Sequence, residues 1–340
     1  MPTPDESDAA RLLAPTTRAL GAMHRHQIRR EPWPDFDAFD PGAYPRELRR
    51  HAAWHWVSRA QAEHGSVHQF SAVTHALCEA RAPVELLGAL ARLITDEVRH
   101  VELCGQAALA FFPEGGGDGR LFAWRTPRAP WPDAPEPPGR DVDAETREAR
   151  ELALRGWASR AILTACCLGE TLSKPMLDAL AVVATDPVAR ACAEQILKDE
   201  RFHASFGWEA LEVLWPTLDA GEREALQRQL ARSLAGFERT TCGGVTIEDV
   251  ANTAIEIGPS EEPNLGTLTN EQFAMIFFAT LEAEIFPKLR ALGLDPERAW
   301  RERGARAKGD GAKGDGAEDH RPEAAAETRA DTAGGADAAE

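Results

Sequence analysis

The sequence predicts an all-α protein built as a four-helix bundle with one long crossover, followed by extra C-terminal helices and a disordered tail. Three observations predict it. Asp-Glu-x-x-His occurs twice, as Asp96-Glu97-Val98-Arg99-His100 and Asp199-Glu200-Arg201-Phe202-His203, each inside a long run with helical periodicity. Each copy follows another helix-like run that carries a Glu among apolar residues, Glu63 in one case and Glu170 in the other. Between the two halves lies a Gly- and Pro-rich link over 113–143, long enough to cross a bundle end to end.

Residues 1–45 carry Pro at positions 2, 4, 15, 32, 34, 41 and 45 and read as an arm packed on the outside, with a short helix near 8–30 and His24 and His26 on its surface. A helix from about 45 to 80 follows. Its residues Trp56, Ala60, Glu63, Val67, Phe70, Thr74 and Leu77 alternate spacings of four and three, the seam of a helix facing a core. His64, His68 and His75 fall about 100° to 140° from Glu63 on the helical wheel and are assigned to the flanks. The next helix, from Pro83 to about Phe111, repeats the seam through Leu86, Leu90, Leu93, Glu97, His100, Cys104, Ala107 and Phe111. From Glu63 to the turn at 81–83 and back to Glu97 the two arms are roughly 21 to 27 Å long, so the carboxylates meet at similar height.

In the second half, a helix over about 144–175 passes through Trp157 and the apolar run Ala161 to Gly169 into Glu170. Pro175 cannot continue the hydrogen-bond ladder, and the helix is expected to kink or restart there, opening one side of the site. Asp186 and Pro187 form a cap and first-turn pair for a helix to about Trp215, with the seam Ala193, Ile196, Glu200, His203, Gly207, Ala210 and Leu214. An amphipathic helix over about 221–239, a loop over 242–268, and a strongly apolar helix over about 270–292 complete the ordered chain. Glu282 and Glu284 belong on the exposed side of that last helix, which covers the bundle and is kinked by Pro287. From about 303 the Ala/Gly/charged sequence, with Ala-Lys-Gly-Asp-Gly repeated over 307–316, cannot form a core and reads as disordered. The organisation is therefore an arm (1–45), one helical domain (46–300, its core over 46–215 and extra helices over 221–293), and a tail (303–340).

With 38 basic and 55 acidic residues the net charge is −17, and no Lys/Arg stripe is interleaved with aromatics, so nucleic acid is a poor partner. Met1 to Ala10 is polar and acidic, and no apolar run is of membrane-spanning length; a cytoplasmic protein without a membrane partner is expected. Six cysteines lack a Cys-x-x-Cys pair, which argues against a rubredoxin-type iron centre or a zinc finger. They read as small buried hydrophobes, with Cys104 and Cys166 on the same stripes as candidate ligands. The single tyrosine, Tyr44, lies outside the four helices that carry the motifs.

Glu and His three residues apart share a helix face and can reach one point, which is metal-ligand spacing. Burying an unpaired carboxylate costs several kcal/mol, so four of them in one core require a compensating cation. Mixed carboxylate and imidazole donors without thiolate suit iron or manganese.

The set Glu63, Glu97-x-x-His100, Glu170 and Glu200-x-x-His203 resembles the ferritin-like superfamily of dinuclear carboxylate proteins, in which two helices each give a Glu and two each give a Glu-x-x-His. The likeness covers about residues 50–215. The stretches Glu63-His64-Gly65-Ser66-Val67 and Asp96-Glu97-Val98-Arg99-His100 are similar to bacterial proteins known by a "ferritin-like domain". The resemblance implies two iron ions, with Mn/Fe or Mn as alternatives. Glu63 and His100 would complete one metal and Glu170 and His203 the other, with Glu97 and Glu200 bridging. Asp199 would accept the imidazole N–H of His100, and Asp96 that of His203.

It also implies a non-haem di-iron oxidase or oxygenase whose six ligands are its catalytic set. O2, an unidentified small-molecule substrate and, for an oxygenase, an electron donor would be its partners, and a homodimer is one assembly left open. Cys104, Cys166, Leu163, Ser173, Ile196 and Trp157 are the candidate pocket lining. The alternative is a ferroxidase, iron-handling or peroxide-scavenging protein, and a third reading is a binding module that keeps the bundle without turnover. A radical-storing ribonucleotide reductase subunit is disfavoured by the position of Tyr44.

Overall fold

Short polar side chains open most of the helices by accepting hydrogen bonds from the first-turn amides that have no partner within the helix. Thr17, Asp143, Asp186, Asp219 and Asp295 each cap a helix in this way, and Thr246 and Thr269 form reciprocal capping boxes. The computed structural model describes residues 13–14, 16–114, 133–139 and 141–304, and among these no β-strand occurs. Most of the 113–143 link, with Trp124 and Trp131, lies outside the described residues. So does the tail from residue 305. Among the described residues no helix is long and apolar enough to cross a membrane.

The α-helices are α1 (Arg18–Ile28), α2 (Arg46–Glu79), α3 (Val84–Phe111), α4 (Ala144–Ile162), α5 (Thr171–Val183), α6 (Pro187–Leu214), α7 (Ala220–Cys242), α8 (Ile247–Asn252), α9 (Asn270–Thr280), α10 (Phe286–Ala291) and α11 (Pro296–Glu302). Between α4 and α5 the chain winds as a π-helix over Leu163–Glu170, and between α9 and α10 it does so again over Leu281–Ile285. α2 and α3 form one antiparallel pair, turned at Arg81 with a positive φ of 54°. The composite α4–π–α5 helix and α6 form the second pair, and the two pairs meet through α2 with α4 and α3 with α6. The eight seam positions expected on α3 and the seven on α6 are all buried. On α2, Val67 and Thr74 are only half-buried, so that seam is ragged at its distal end.

Several expectations need correcting. Pro175 does not end its helix, since α5 runs through it to Val183. The departure from α geometry lies upstream at Leu163–Glu170, where wider bonding loosens the ladder before the residue that cannot donate. Pro287 likewise follows a π-helical turn, which divides the expected 270–292 helix. The 242–268 loop contains α8, and α11 lies beyond the last expected helix. α7 continues past Arg239 to Cys242 and ends at Gly243 in the left-handed region, φ 58°. Among the C-terminal helices, α7 packs on α4 and the π-helical turn, and α9 packs on α7 and α5.

The N-terminal arm is stitched to α3 and α6 by polar contacts. His24, expected on the surface, bonds Glu102 at 2.9 Å, Arg29 donates to the same carboxylate at 2.6 Å, and Gln195 donates to the Arg30 carbonyl at 2.8 Å. At the end of the arm the Tyr44 hydroxyl donates to Asp186, the cap of α6, at 2.9 Å. Burial and the neighbouring Asp186 carboxylate push the Tyr44 phenol up to about 12. A raised phenol stabilises the fold below its unfolded value near 10 and loses that contribution as pH climbs through about 12. Because Tyr44 is the only tyrosine, phenolate absorbance reads it alone; the midpoint should fall to about 10 on denaturation, and Tyr44→Phe should cost about 1 kcal/mol.

Close approach of α6 to the π-helical turn depends on Gly207. A Cβ there would lie 2.6 Å from the Cys166 Cβ and 2.8 Å from the Cys167 backbone nitrogen. Backbone cannot swing aside as a long side chain can, so Gly207→Ala should destabilise by about 1–3 kcal/mol in a denaturant titration.

Candidate metal centre

Each half of the chain brings three donor side chains to the contact between the two helix pairs. Glu63 comes from α2, and Glu97 and His100 come from one face of α3; Glu170 ends the π-helical turn, and Glu200 and His203 come from one face of α6. All six are buried. The imidazole rings of His100 and His203 lie 5.5 Å apart between centroids. His100 Nδ1 is 3.6 Å from Glu97 Oε2 and 3.8 Å from Glu63 Oε2. His203 Nδ1 is 3.2 Å from Glu97 Oε1 and 3.6 Å from Glu170 Oε2. Glu97 thus reaches both imidazoles, one with each oxygen.

The outer nitrogens are held separately. His100 Nε2 faces Asp199 Oδ2 at 3.4 Å, and His203 Nε2 faces Asp96 Oδ2 at 3.4 Å. Holding Nε2 against a carboxylate turns each Nδ1 toward the inner Glu residues, the nitrogen that would ligate a cation once it gives up its proton. Asp96 and Asp199 are themselves gripped by three arginines. Arg99, itself buried, donates from Nη1 to Asp96 at 2.7 Å and to Asp199 at 2.5 Å, and its Nε bonds the Ile28 carbonyl at the end of α1. Arg92 bonds Asp96 at 2.6 Å and Asp199 at 3.3 Å; Arg30, from the arm, bonds Asp199 closely and Asp96 at 3.3 Å.

Charge follows this geometry. Burial alone would raise the Asp199 carboxyl, but His100, Arg99 and Arg30 outweigh it and hold it well below the usual range. Burial also opposes ionisation of Glu63, yet His100 and Arg59 bring it down to about 2. Glu200 goes the other way, pushed well up by burial and by the nearby charge of Glu170. Against their own burial, His100 and His203 are held well above the ordinary histidine value by surrounding carboxylates.

Five atoms here are buried without a hydrogen-bond partner: both oxygens of Glu97, Glu200 Oε2, His100 Nδ1 and His203 Nδ1. Buried polar atoms are almost always satisfied, and these five are oxygen and nitrogen donors of the kind that ligate divalent cations. Two overlapping sets, Glu97/His100/His203 and Glu170/Glu200/His203, offer ligand atoms that all lie within 4.8 Å of one another. The residues present therefore fit a metal centre.

No protein-family model matches the chain, and comparison with curated proteins and with solved structures finds no match.

Among the other candidates, His68 and His75 are exposed and His64 is half-buried. Glu282 is exposed, and Glu284 pairs with Lys288 at 2.7 Å. Cys104, Cys166, Leu163, Ile196 and Trp157 are buried, whereas Ser173 is only half-buried. Burial, with Glu63 beside Cys104 and Glu170 beside Cys166, holds both thiols well above their ordinary value, so they are neutral neighbours rather than thiolate ligands. Sequence reasoning missed the arginines. Arg92 and Arg99 flank Asp96 at spacings of four and three, a signal readable once Asp96 is placed inside; Arg30 is contributed from a distant segment with no local signal.

Proposed function

We propose that this chain is a ferritin-like four-helix-bundle protein in which Glu63, Glu97, His100, Glu170, Glu200 and His203 hold two metal ions, iron in the first instance, and that it is an O2-dependent oxidoreductase acting on a small molecule. The single observation that carries this reading is that five buried donor atoms without hydrogen-bond partners belong to two overlapping donor sets, joined at His203, between the two helix pairs. Four carboxylates balance two divalent cations in formal charge, which would offset a burial otherwise costing several kcal/mol per group.

Bound iron would supply the reduction of O2 and the oxidising power for a C–H, N–H or heteroatom bond. The chain's own residues do the rest. Asp96 and Asp199, fixed by Arg30, Arg92 and Arg99, hold each imidazole with its Nδ1 inward. Leu93, Cys104 and Ala107 on α3 and Ile196, Gly207 and Ala210 on α6 close the seam above and below the donors and exclude water. Glu63 and Glu170 retain 11% and 10% side-chain exposure against 1% for Glu97, so they are less enclosed than the central Glu97.

Elemental analysis after anaerobic Fe(II) loading should give two ions per chain, and admitted O2 should be consumed. A protein that binds no more than stray metal, or whose Fe(II) form ignores O2, would end this reading. The near-symmetric donor pattern favours one second reading, a ferroxidase or iron store, for which assembly into a closed multi-subunit shell is the deciding measurement. The helices α7 to α11 on one flank and the arm on another favour the oxidoreductase, because both add bulk where a compact shell subunit needs free surface.

A further inference from the structure

Arg59 stands one helical turn before Glu63 on α2, and its Nη1 donates to Glu63 Oε1 at 3.3 Å. It keeps 20% side-chain exposure, against 11% for Glu63, so it is not sealed from solvent. The carboxylates that act on it most are Glu63 and Glu200, both members of the inner donor set. Its charge has no other evident purpose there. The outer carboxylates are already over-matched, with Arg30, Arg92 and Arg99 on Asp96 and Asp199.

The count matters once cations are present. With two divalent ions held, the four inner glutamates would be neutralised in formal charge and Glu63 would no longer offset Arg59, leaving its guanidinium with an uncompensated positive charge beside the centre. A guanidinium presents parallel N–H donors that match a carboxylate, and in a partly desolvated site such a pair is strong. We propose that Arg59 binds the carboxylate of a monoanionic substrate and so sets the substrate class of the centre. This rests on the dinuclear reading above. A single carboxylate matches the one charge that Arg59 carries, whereas a phosphate dianion brings a second charge that Arg59 by itself does not match.

Acetate, acetamide and inorganic phosphate serve as probes, with binding followed by calorimetry. In protein carrying two metals by elemental analysis, acetate should bind about ten-fold more weakly to Arg59→Gln than to the parent at unchanged metal content, Arg59→Lys should recover part of the loss, and acetamide should not compete. Equal acetate affinity in the parent and Arg59→Gln, or acetamide binding as well as acetate, would overturn the proposal; phosphate outcompeting acetate would overturn the carboxylate assignment. A second pair needs no metal. Glu63→Gln frees Arg59 from its partner, so metal-free Glu63→Gln should bind acetate about ten-fold more tightly than Glu63→Gln/Arg59→Gln. If the protein fails to take up two metals the dinuclear reading falls, while the metal-free pair still decides whether Arg59 is an anion site.

Discussion

Glu200→Gln should make the metal-free protein more stable and its metal binding weaker. Glu200 is buried with one oxygen unsatisfied, and its charge is opposed by burial and by Glu170. The sign follows from linkage. A carboxyl whose folded value lies above its unfolded one binds more protons in the folded state, so it costs stability increasingly as pH rises above about 4.5. The amide carries no such cost. At neutral pH the variant should gain roughly 1–3 kcal/mol, or several degrees in melting temperature, and the gain should shrink to nothing as pH falls below about 4.5. Metal binding should move oppositely, by about 10-fold or more, because a carboxylate ligand is lost. Thermal melts across pH with and without Fe(II) would show both. A variant less stable than the parent without metal, at every pH, would mean that Glu200 is satisfied by the protein alone.

Arg99→Leu should be among the most damaging single changes that touch no candidate ligand. Arg99 is fully buried and bridges Asp96 and Asp199, two like charges that raise each other's cost of ionisation. Breaking a buried ion pair from one side typically costs about 3–5 kcal/mol, and Arg30 and Arg92 would recover only part of it. The half-exposed Arg92 makes the contrasting case, since Arg92→Leu should cost no more than about 1 kcal/mol although it touches the same two carboxylates. The imidazoles supply a second readout. With Asp96 and Asp199 no longer fixed, metal affinity should fall about 10–100-fold even in molecules that remain folded. Equal costs for the two leucine variants in denaturant titrations would remove the buried bridge as the source of the effect.

Much of this was legible because the informative residues break a pattern. Glu97 and His100 replace hydrophobes in an otherwise unbroken α3 seam, and Glu200 and His203 do the same on α6, so spacing alone places them on inward faces. The π-helical turn was not legible. Leu163 to Gly169 is apolar almost all round, so the sequence offers no contrast between faces from which a change of pitch could be read, and Pro175 drew attention to the wrong turn. Short helices such as α8 and α11 carry too few periodic positions to stand out from loops.

What the sequence by itself determined is the helical class, the order of the long helices, and the inward placement of six donors, because helical periodicity is a local property that a linear chain displays in full. Only the tertiary structure decided which charges from other segments surround them: that Arg30 reaches Asp96 and Asp199 from the arm, and that Arg99 on α3 bridges to Asp199 on α6. Charges on different segments interact through space with no fixed separation along the chain, so no spacing announces those pairs until the helices are packed.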